Sequence, residues 1–219
     1  MEDSTTSREK ILKKVRKALI YKTTHEIPDV DFESEIYAVN AESLEILFAK
    51  QLTELNGKFI FCENENEFAL NLSSLIAEHK WSEVFCYEPK VNIILQNNNI
   101  KFSGQNHDIK NMDAGITLCE LLVARTGSVI ISSKMSSGRK MNVFPNYHIV
   151  LAYTSQLVLT HKDALIGIKN KYGANIPSLI SSITGPSRTA DIEKTLVQGA
   201  HGPKELFVLL VDDSLSSEN

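Results

Sequence analysis

The residues best suited to chemistry in this sequence lie in one late stretch, Thr184-Gly185-Pro186-Ser187-Arg188-Thr189-Ala190-Asp191-Ile192-Glu193, followed by Gly199-Ala200-His201-Gly202-Pro203. Their spacing predicts a strand end, a Gly-Pro turn and a helix over about 189–198 that opens with two hydroxyls and an arginine. Such a start is an anion site. Free N–H groups and the helix dipole attract negative charge, Ser187 and Thr189 can donate hydrogen bonds, and Arg188 can clamp a carboxylate or phosphate. Ligands of open α/β sheets also collect at strand carboxyl ends. The same residues serve equally as a helix cap, with Asp191 and Glu193 placed to complement the dipole. His201 stands between Gly199 and Gly202, which permit close backbone approach. It is either an acid–base or ligand-contacting group or a C-terminal cap.

A second polar cluster joins the Thr126-Gly127-Ser128 turn to a loop holding Ser136, Ser137, Gly138 and Arg139. It can close over a phosphate or carboxylate, and it can equally be a plain Gly-Ser loop. His148 falls within the strand-like run Tyr147–Tyr153 and reads as a core histidine, while His161-x-Asp163 reads as the start of a solvated helix. Chain order alone supports no Ser-His-Asp assignment. Neither a Walker lysine motif nor GxGxxG occurs, which argues against the common nucleotide cradles. Cys62, Cys86 and Cys119 are 24 and 33 residues apart, so a zinc or iron–sulfur site would lack its paired ligands. No metal site is expected.

These residues need elements to hold them. Ile11, Leu12, Val15, Ala18 and Leu19 form the stripe of an amphipathic helix, with Ser7 as its expected cap and Glu9 in its first turn. An extended linker is expected over 23–37. A helix over 41–56 stops at Gly57, and strand and helix then alternate: a strand at Lys58–Cys62, a helix at 65–79, a strand at Val84–Tyr87, a helix at Val91–Gln96 and a strand at Ile100–Phe102. Strands separated by helices imply βαβ units and a parallel sheet. Glu120–Arg125 and Ser128–Ser132 form a β-hairpin candidate. Tyr147–Tyr153 and Glu205–Val211 are buried strands, with a helix over 161–171 between them. The expected class is α/β, a mainly parallel sheet with flanking helices and a β-hairpin insertion. The expected boundaries are a basic helix and linker over 1–37, one domain over 38–213 and a disordered tail over 214–219.

The chain has 219 residues, 42% of them hydrophobic and 23% charged, a globular composition that excludes disorder, collagen and coiled coil. A net charge of −4 offers no general footprint for nucleic acid. The charge is uneven. Residues 1–22 carry seven basic groups against three acids, and residues 23–78 carry twelve acids against two lysines. A basic amphipathic helix can lie on a membrane, bind a partner or pack as an arm, and an arm of this kind offers a surface for a homodimer. No apolar run approaches a membrane span, and MEDSTTSREK lacks the pattern of a signal peptide. Sparse, unpaired cysteines fit a reducing cytoplasm.

The run from Gly185 to Glu193, continued by Leu196-Val197-x-Gly199-Ala200-His201-Gly202-Pro203-x-Glu205-Leu206, resembles the signature of the LUD domain, within it the lactate utilisation protein C family. Gly115-Ile116-Thr117, Ala124-x-Thr126-Gly127-Ser128 and Pro145-x-x-His148-Ile149 fit in the same order. The resemblance implies a fold similar to the NagB/RpiA/CoA-transferase group. It also implies a bacterial cytosolic protein needed for growth on L-lactate, acting with two partner proteins that carry the iron–sulfur clusters for lactate oxidation to pyruvate. This chain would bind no cofactor of its own. One departure is Arg125, where the family usually has an acid. The expected function is a non-redox subunit holding a small anionic ligand at Thr126, Gly127, Ser128, Gly185, Ser187, Arg188 and Thr189, with His201 as the catalytic candidate. The alternative is an autonomous ligase- or isomerase-type enzyme on a small phosphorylated or carboxylated substrate.

Overall fold

The structure is a computed structural model that describes residues 6–20, 42–104, 112–192, 195–199 and 201–214, with the backbone alone at 189–192 and 195–198. The expected linker over 23–37 and the tail from 215 lie outside these residues. Two compact units divide the chain, Met1–Asn40 and Ala41–Asn219. In the first, helix α1 spans Ser7–Ile20. Its cap is Thr6 rather than Ser7. The Thr6 hydroxyl accepts from the Glu9 N–H at 3.3 Å, and the Glu9 carboxylate accepts from the Thr6 N–H at 3.0 Å. Thr6-x-x-Glu9 is therefore a reciprocal capping box, which fixes the start one residue earlier than expected.

The second unit opens with α2 (Leu44–Glu54), β1 (Lys58–Cys62), α3 (Glu65–His79), β2 (Val84–Cys86) and α4 (Pro89–Asn97). Asn64 caps α3 by accepting from the N–H groups of Asn66 and Glu67, both at 3.0 Å. Asn64→Ala should therefore lower stability by about 1 kcal/mol in urea denaturation. The strand expected at Ile100–Phe102 shrinks to one bridge, in which Ser103 exchanges two hydrogen bonds with β2. Asn99 takes a left-handed turn (φ 56°) just before it, so the chain reaches the sheet edge only at Ser103.

Next come β3 (Ala114–Thr117), β4 (Leu121–Val123), β5 (Ser128–Ser132), β6 (Tyr147–Tyr153), β7 (Leu157–Val158), α5 (His161–Tyr172), β8 (Ile180–Ile183), β9 (Arg188–Ile192), β10 (Thr195–Gln198) and β11 (Glu205–Val211). Five strands form an all-parallel sheet in the order β1-β11-β6-β3-β2. Both central strands, β6 and β11, are buried on both faces, which is why they read as nearly continuous apolar runs. Alternation sends their side chains two ways. Ile149, Leu151, Phe207 and Leu209 pack with Phe68 and Leu72 of α3 and Val91 and Leu95 of α4. Val150, Ala152, Val208 and Leu210 pack with Phe48 and Leu52 of α2 and with Leu122, Val129 and Ile131 of a second sheet.

That second sheet has the order β7-β4-β5-β8, and the expected hairpin is its antiparallel β4–β5 pair. Its far face, Val123 and Ile130, is covered by Ala164 and Ile168 of α5. A buried carboxylate locks this layer. Glu120 accepts hydrogen bonds from Ser132 (2.5 Å), Tyr172 (2.8 Å) and Lys171 (2.7 Å).

The helix expected over 189–198 is absent. The chain forms the antiparallel pair β9–β10, with Thr195 opposite Ile192 and Gln198 opposite Arg188. Thr189, Ile192, Thr195 and Val197 are β-branched and lose side-chain freedom in a helix but fit a pleated strand. Asp191 and Glu193 suggested a helix start, but they carried less weight than those four residues.

Candidate functional site

β8 runs antiparallel to β5, so the residue after it, Thr184, arrives beside Ser128. A short 3-10 turn, Ala124–Thr126, and left-handed Gly127 (φ 58°) reverse the chain before β5. Thr126 Oγ1 lies 2.8 Å from Ser128 Oγ, which lies 2.8 Å from Thr184 Oγ1. A chain of three hydroxyls thus ties the early turn to the late stretch. Ser128 is fully buried and its hydroxyl is engaged on both sides, by Thr126 and Thr184, so it holds the wall of the site.

Beyond Thr184 the chain turns at left-handed Gly185 (φ 83°). Two backbone bonds pin the next turn: the Ser187 N–H donates to the Pro203 carbonyl at 2.9 Å, and the Gly199 N–H donates to the Ser187 carbonyl at 3.1 Å. Gly202 presses on Ser187 so closely that an added Cβ would lie 3.1 Å from the Ser187 Cβ. The two late segments therefore fold over one another, and the Lys204 N–H fastens them to the Asn146 carbonyl at 2.8 Å, just before β6.

Between them lies a pocket of about 260 Å³. Its polar lining includes Asn142, His148, Ser182, Thr184, Ser187 and His201, with no lysine, arginine or carboxylate among the described residues. His148 on β6 and Leu206 on β11 are neighbours in register and both line it. The pocket sits at the amino ends of β6 and β11. The strand that leads into it, β8, belongs to the antiparallel layer, so the carboxyl-end expectation does not apply to this site.

His148 is fully buried, and its Nε2 lies 2.9 Å from Thr117 Oγ1. Its Nδ1 has no hydrogen-bond partner among the described residues. Burial holds the imidazole neutral, with a pKa lowered to about 4. Gly115, one strand over, allows the approach of the segment before β6, since a Cβ there would lie 2.9 Å from Pro145 Cγ and 3.1 Å from the Met141 carbonyl.

The candidate residues thus separate. Gly185, Ser187 and His201 line the pocket, with His201 exposed. Thr126, Gly127 and Ser128 stand behind it, joined through Thr184. The Arg188 guanidinium donates to the Leu55 carbonyl at the end of α2, and Arg188 is absent from the pocket lining. The side chain of Thr189 lies outside the described residues. With β9 in place of a helix, no helix N-terminus faces this site, and hydroxyls and imidazoles remain as its donors. His148 is the core histidine that the sequence suggests: alternation places it on the buried face of Val150 and Ala152, where a polar residue needs a partner, and Thr117 supplies one.

The loop of the second polar cluster does not reach the pocket. Ser137 is tied to buried Glu88 through its N–H (3.0 Å) and its hydroxyl, and Arg139 donates to Ser178 at 3.0 Å. Another cleft, of about 320 Å³, lies at the carboxyl ends of β1, β6 and β11 and carries Glu65, Asp212 and Asp213. Three carboxylates there repel an anion, so the neutral pocket suits one better. Cys62 and Cys86 lie on the two edge strands of the parallel sheet, four strand spacings or about 19 Å apart, too far to share a cluster. Burial raises the Cys86 thiol to about 12 and raises the other two as well. Among the described residues no group of three His, Cys, Asp or Glu is placed to hold a metal ion, and no helix is long and apolar enough to cross a membrane.

The chain is similar to curated proteins named lactate utilization protein C. It is 36% identical to lactate utilization protein C 1 of Bacillus mycoides over 106 residues, covering 48% of this chain and 45% of that protein. It is 37% identical to the Bacillus subtilis protein over 103 residues, covering 46% and 43%. The match to the Geobacillus thermodenitrificans protein is 36% over 118 residues, covering 52% and 49%. The aligned part is thus a little under half the length of these relatives. The fold is similar to the crystal structure of a DUF162 family protein from Deinococcus radiodurans, with a TM-score of 0.60 at 15% identity over 80% of this chain and 99% of that one. The LUD domain family matches residues 103–211, the span that supplies every polar lining residue of the pocket, Thr117 beneath it and the hydroxyl chain behind it, and the chain belongs to that family.

Proposed function

We propose that this protein serves L-lactate utilisation as a subunit without a redox centre of its own, and that its pocket holds a small organic anion. One observation carries the reading: the separate segments of family resemblance converge on one pocket. Gly115 and Thr117 support His148, the Thr126–Ser128 turn supports Thr184, and the Gly185–His201 stretch forms the rim. A pocket this small admits a compact acid and is below the size usual for a dinucleotide or a drug-sized ligand. Electrons would travel through two partner proteins carrying iron–sulfur clusters. This chain's share is to bind and orient the acid with hydroxyl and imidazole donors while the loops limit water.

The reading predicts that filling the pocket abolishes its function. Ser187→Trp should stop growth of a deletion strain on L-lactate when it replaces the wild-type gene, while growth on glucose and protein abundance stay unchanged. Normal growth of that strain on L-lactate would sink the proposal.

A further inference from the structure

We propose that His148 is the buried hydrogen-bond donor of the pocket, offering Nδ1–H to a carboxylate or keto oxygen of a small organic acid, and that Thr117 is the positioning residue that sets this tautomer. The inference rests on the reading of this pocket as a ligand site and names the group that recognises the acid.

His148 and Thr117 share one contact, Nε2 to Oγ1 at 2.9 Å, and each group is buried. Two arrangements are available. If Nε2–H donates to Thr117, the threonine hydroxyl proton has no other acceptor among the described residues, and an orphaned buried donor costs about 1–3 kcal/mol. If the Thr117 hydroxyl donates to Nε2, that proton is satisfied and the ring proton moves to Nδ1. His148 lines the pocket and Thr117 does not, so the second arrangement leaves the remaining buried donor on the residue of the pocket wall, and the first leaves it beneath that wall. Nδ1 is the ring nitrogen without a protein partner.

The rest of the lining fits the same ligand. Thr184 uses its hydroxyl on Ser128, while Ser187 and His201 lie on the late segments over the pocket. Among the described residues no cation lines the pocket, so an acid would be held there by neutral donors, whose hydrogen bonds to a carboxylate are charge-assisted. Leu206 and Val143 supply an apolar wall for the short carbon chain. A neutral, directional donor at the floor therefore selects the position of an oxygen, not simply negative charge.

The test is long-range proton–nitrogen correlation on full-length protein labelled with 15N-histidine, with His148→Gln used to assign the signals. The expected spectrum has Nδ1 protonated and Nε2 unprotonated, and addition of sodium pyruvate or sodium L-lactate should shift the His148 Nδ1 signal. Thr117→Val should lose the single tautomer and weaken pyruvate binding about tenfold, as removal of one positioning hydrogen bond predicts. Thr117→Ser should restore both. An Nε2-protonated ring in the wild-type protein overturns the proposal. So does the absence of any His148 shift with both acids. The tautomer is read on the wild-type protein, so a variant that does not fold leaves the test intact. Growth of the Ser187→Trp strain on L-lactate reports separately on the functional reading, so either proposal can fail without the other.

Discussion

Gly127→Ala is expected to destabilise the protein by about 4 kcal/mol, seen as a fall of about 10 °C in Tm. Gly127 holds φ 58°, and an added Cβ would lie 2.4 Å from the Leu52 backbone nitrogen and 2.7 Å from the Gln51 carbonyl carbon. Left-handed backbone costs an alanine about 1–2 kcal/mol, and the clash adds an overpacking term of about 1–3 kcal/mol. The obstacle is the backbone of α2, which cannot swing aside as a side chain would. Gly138 provides the control. It has φ 60° with nothing within 4 Å of an added Cβ, so Gly138→Ala should cost only the torsional part, about 1–2 kcal/mol. Equal losses for the two variants would show that packing against α2 contributes nothing.

Glu120→Ala should cost about 3 kcal/mol by denaturant unfolding, because it removes the acceptor for Ser132, Tyr172 and Lys171 together. Lys171 is more than half exposed and regains water, so most of the loss comes from the two hydroxyls and the space left in the layer beneath α5. Glu120→Gln should cost less, since its amide oxygen still accepts from Ser132 and Tyr172. Burial pushes the Glu120 carboxyl up, but bonds from Lys171, Ser132 and Tyr172, with the lysine charge, outweigh it and leave the folded pKa below the ordinary 4.5. A depressed carboxylate stabilises fully above the unfolded pKa, and that contribution disappears as pH falls through the folded one. The gap in stability between wild type and Glu120→Gln should therefore be constant at neutral pH and shrink below about pH 4.5. A gap that widens on acidification would contradict this assignment.

The parallel sheet was legible because its central strands carry their own evidence. Tyr147–Tyr153 and Glu205–Val211 are apolar on both faces, and such runs between helices leave few arrangements other than a covered parallel sheet. The helix at 65–79 was equally plain, with Phe68, Leu72, Leu75 and Ile76 at helical spacing on one side. Thr189–Gln198 was not. Its acids suggested a helix start, its β-branched residues a strand, and pairing within the segment decided for the strand.

The candidate site divides along the same line. Gly185, Ser187 and His201 share a stretch of some seventeen residues that the sequence marked as one candidate site, although it expected a helix where the β9–β10 pair stands. The proximity of Ser128 to Thr184 depends on the β5–β8 register across 56 positions, and that of His148 to Thr117 on the β3–β6 pair across 31. Arg188 shows the converse. Its charge suggested an anion clamp, but α2 ends beside it and offers the Leu55 carbonyl. By itself the sequence determined the fold class and the family signature, because periodicity and local motifs are properties of neighbouring residues. Only the tertiary structure decided which histidine lies beneath the pocket and where the arginine turns. Those outcomes depend on burial and on which distant backbone or hydroxyl is within 3 Å, and no local pattern encodes them.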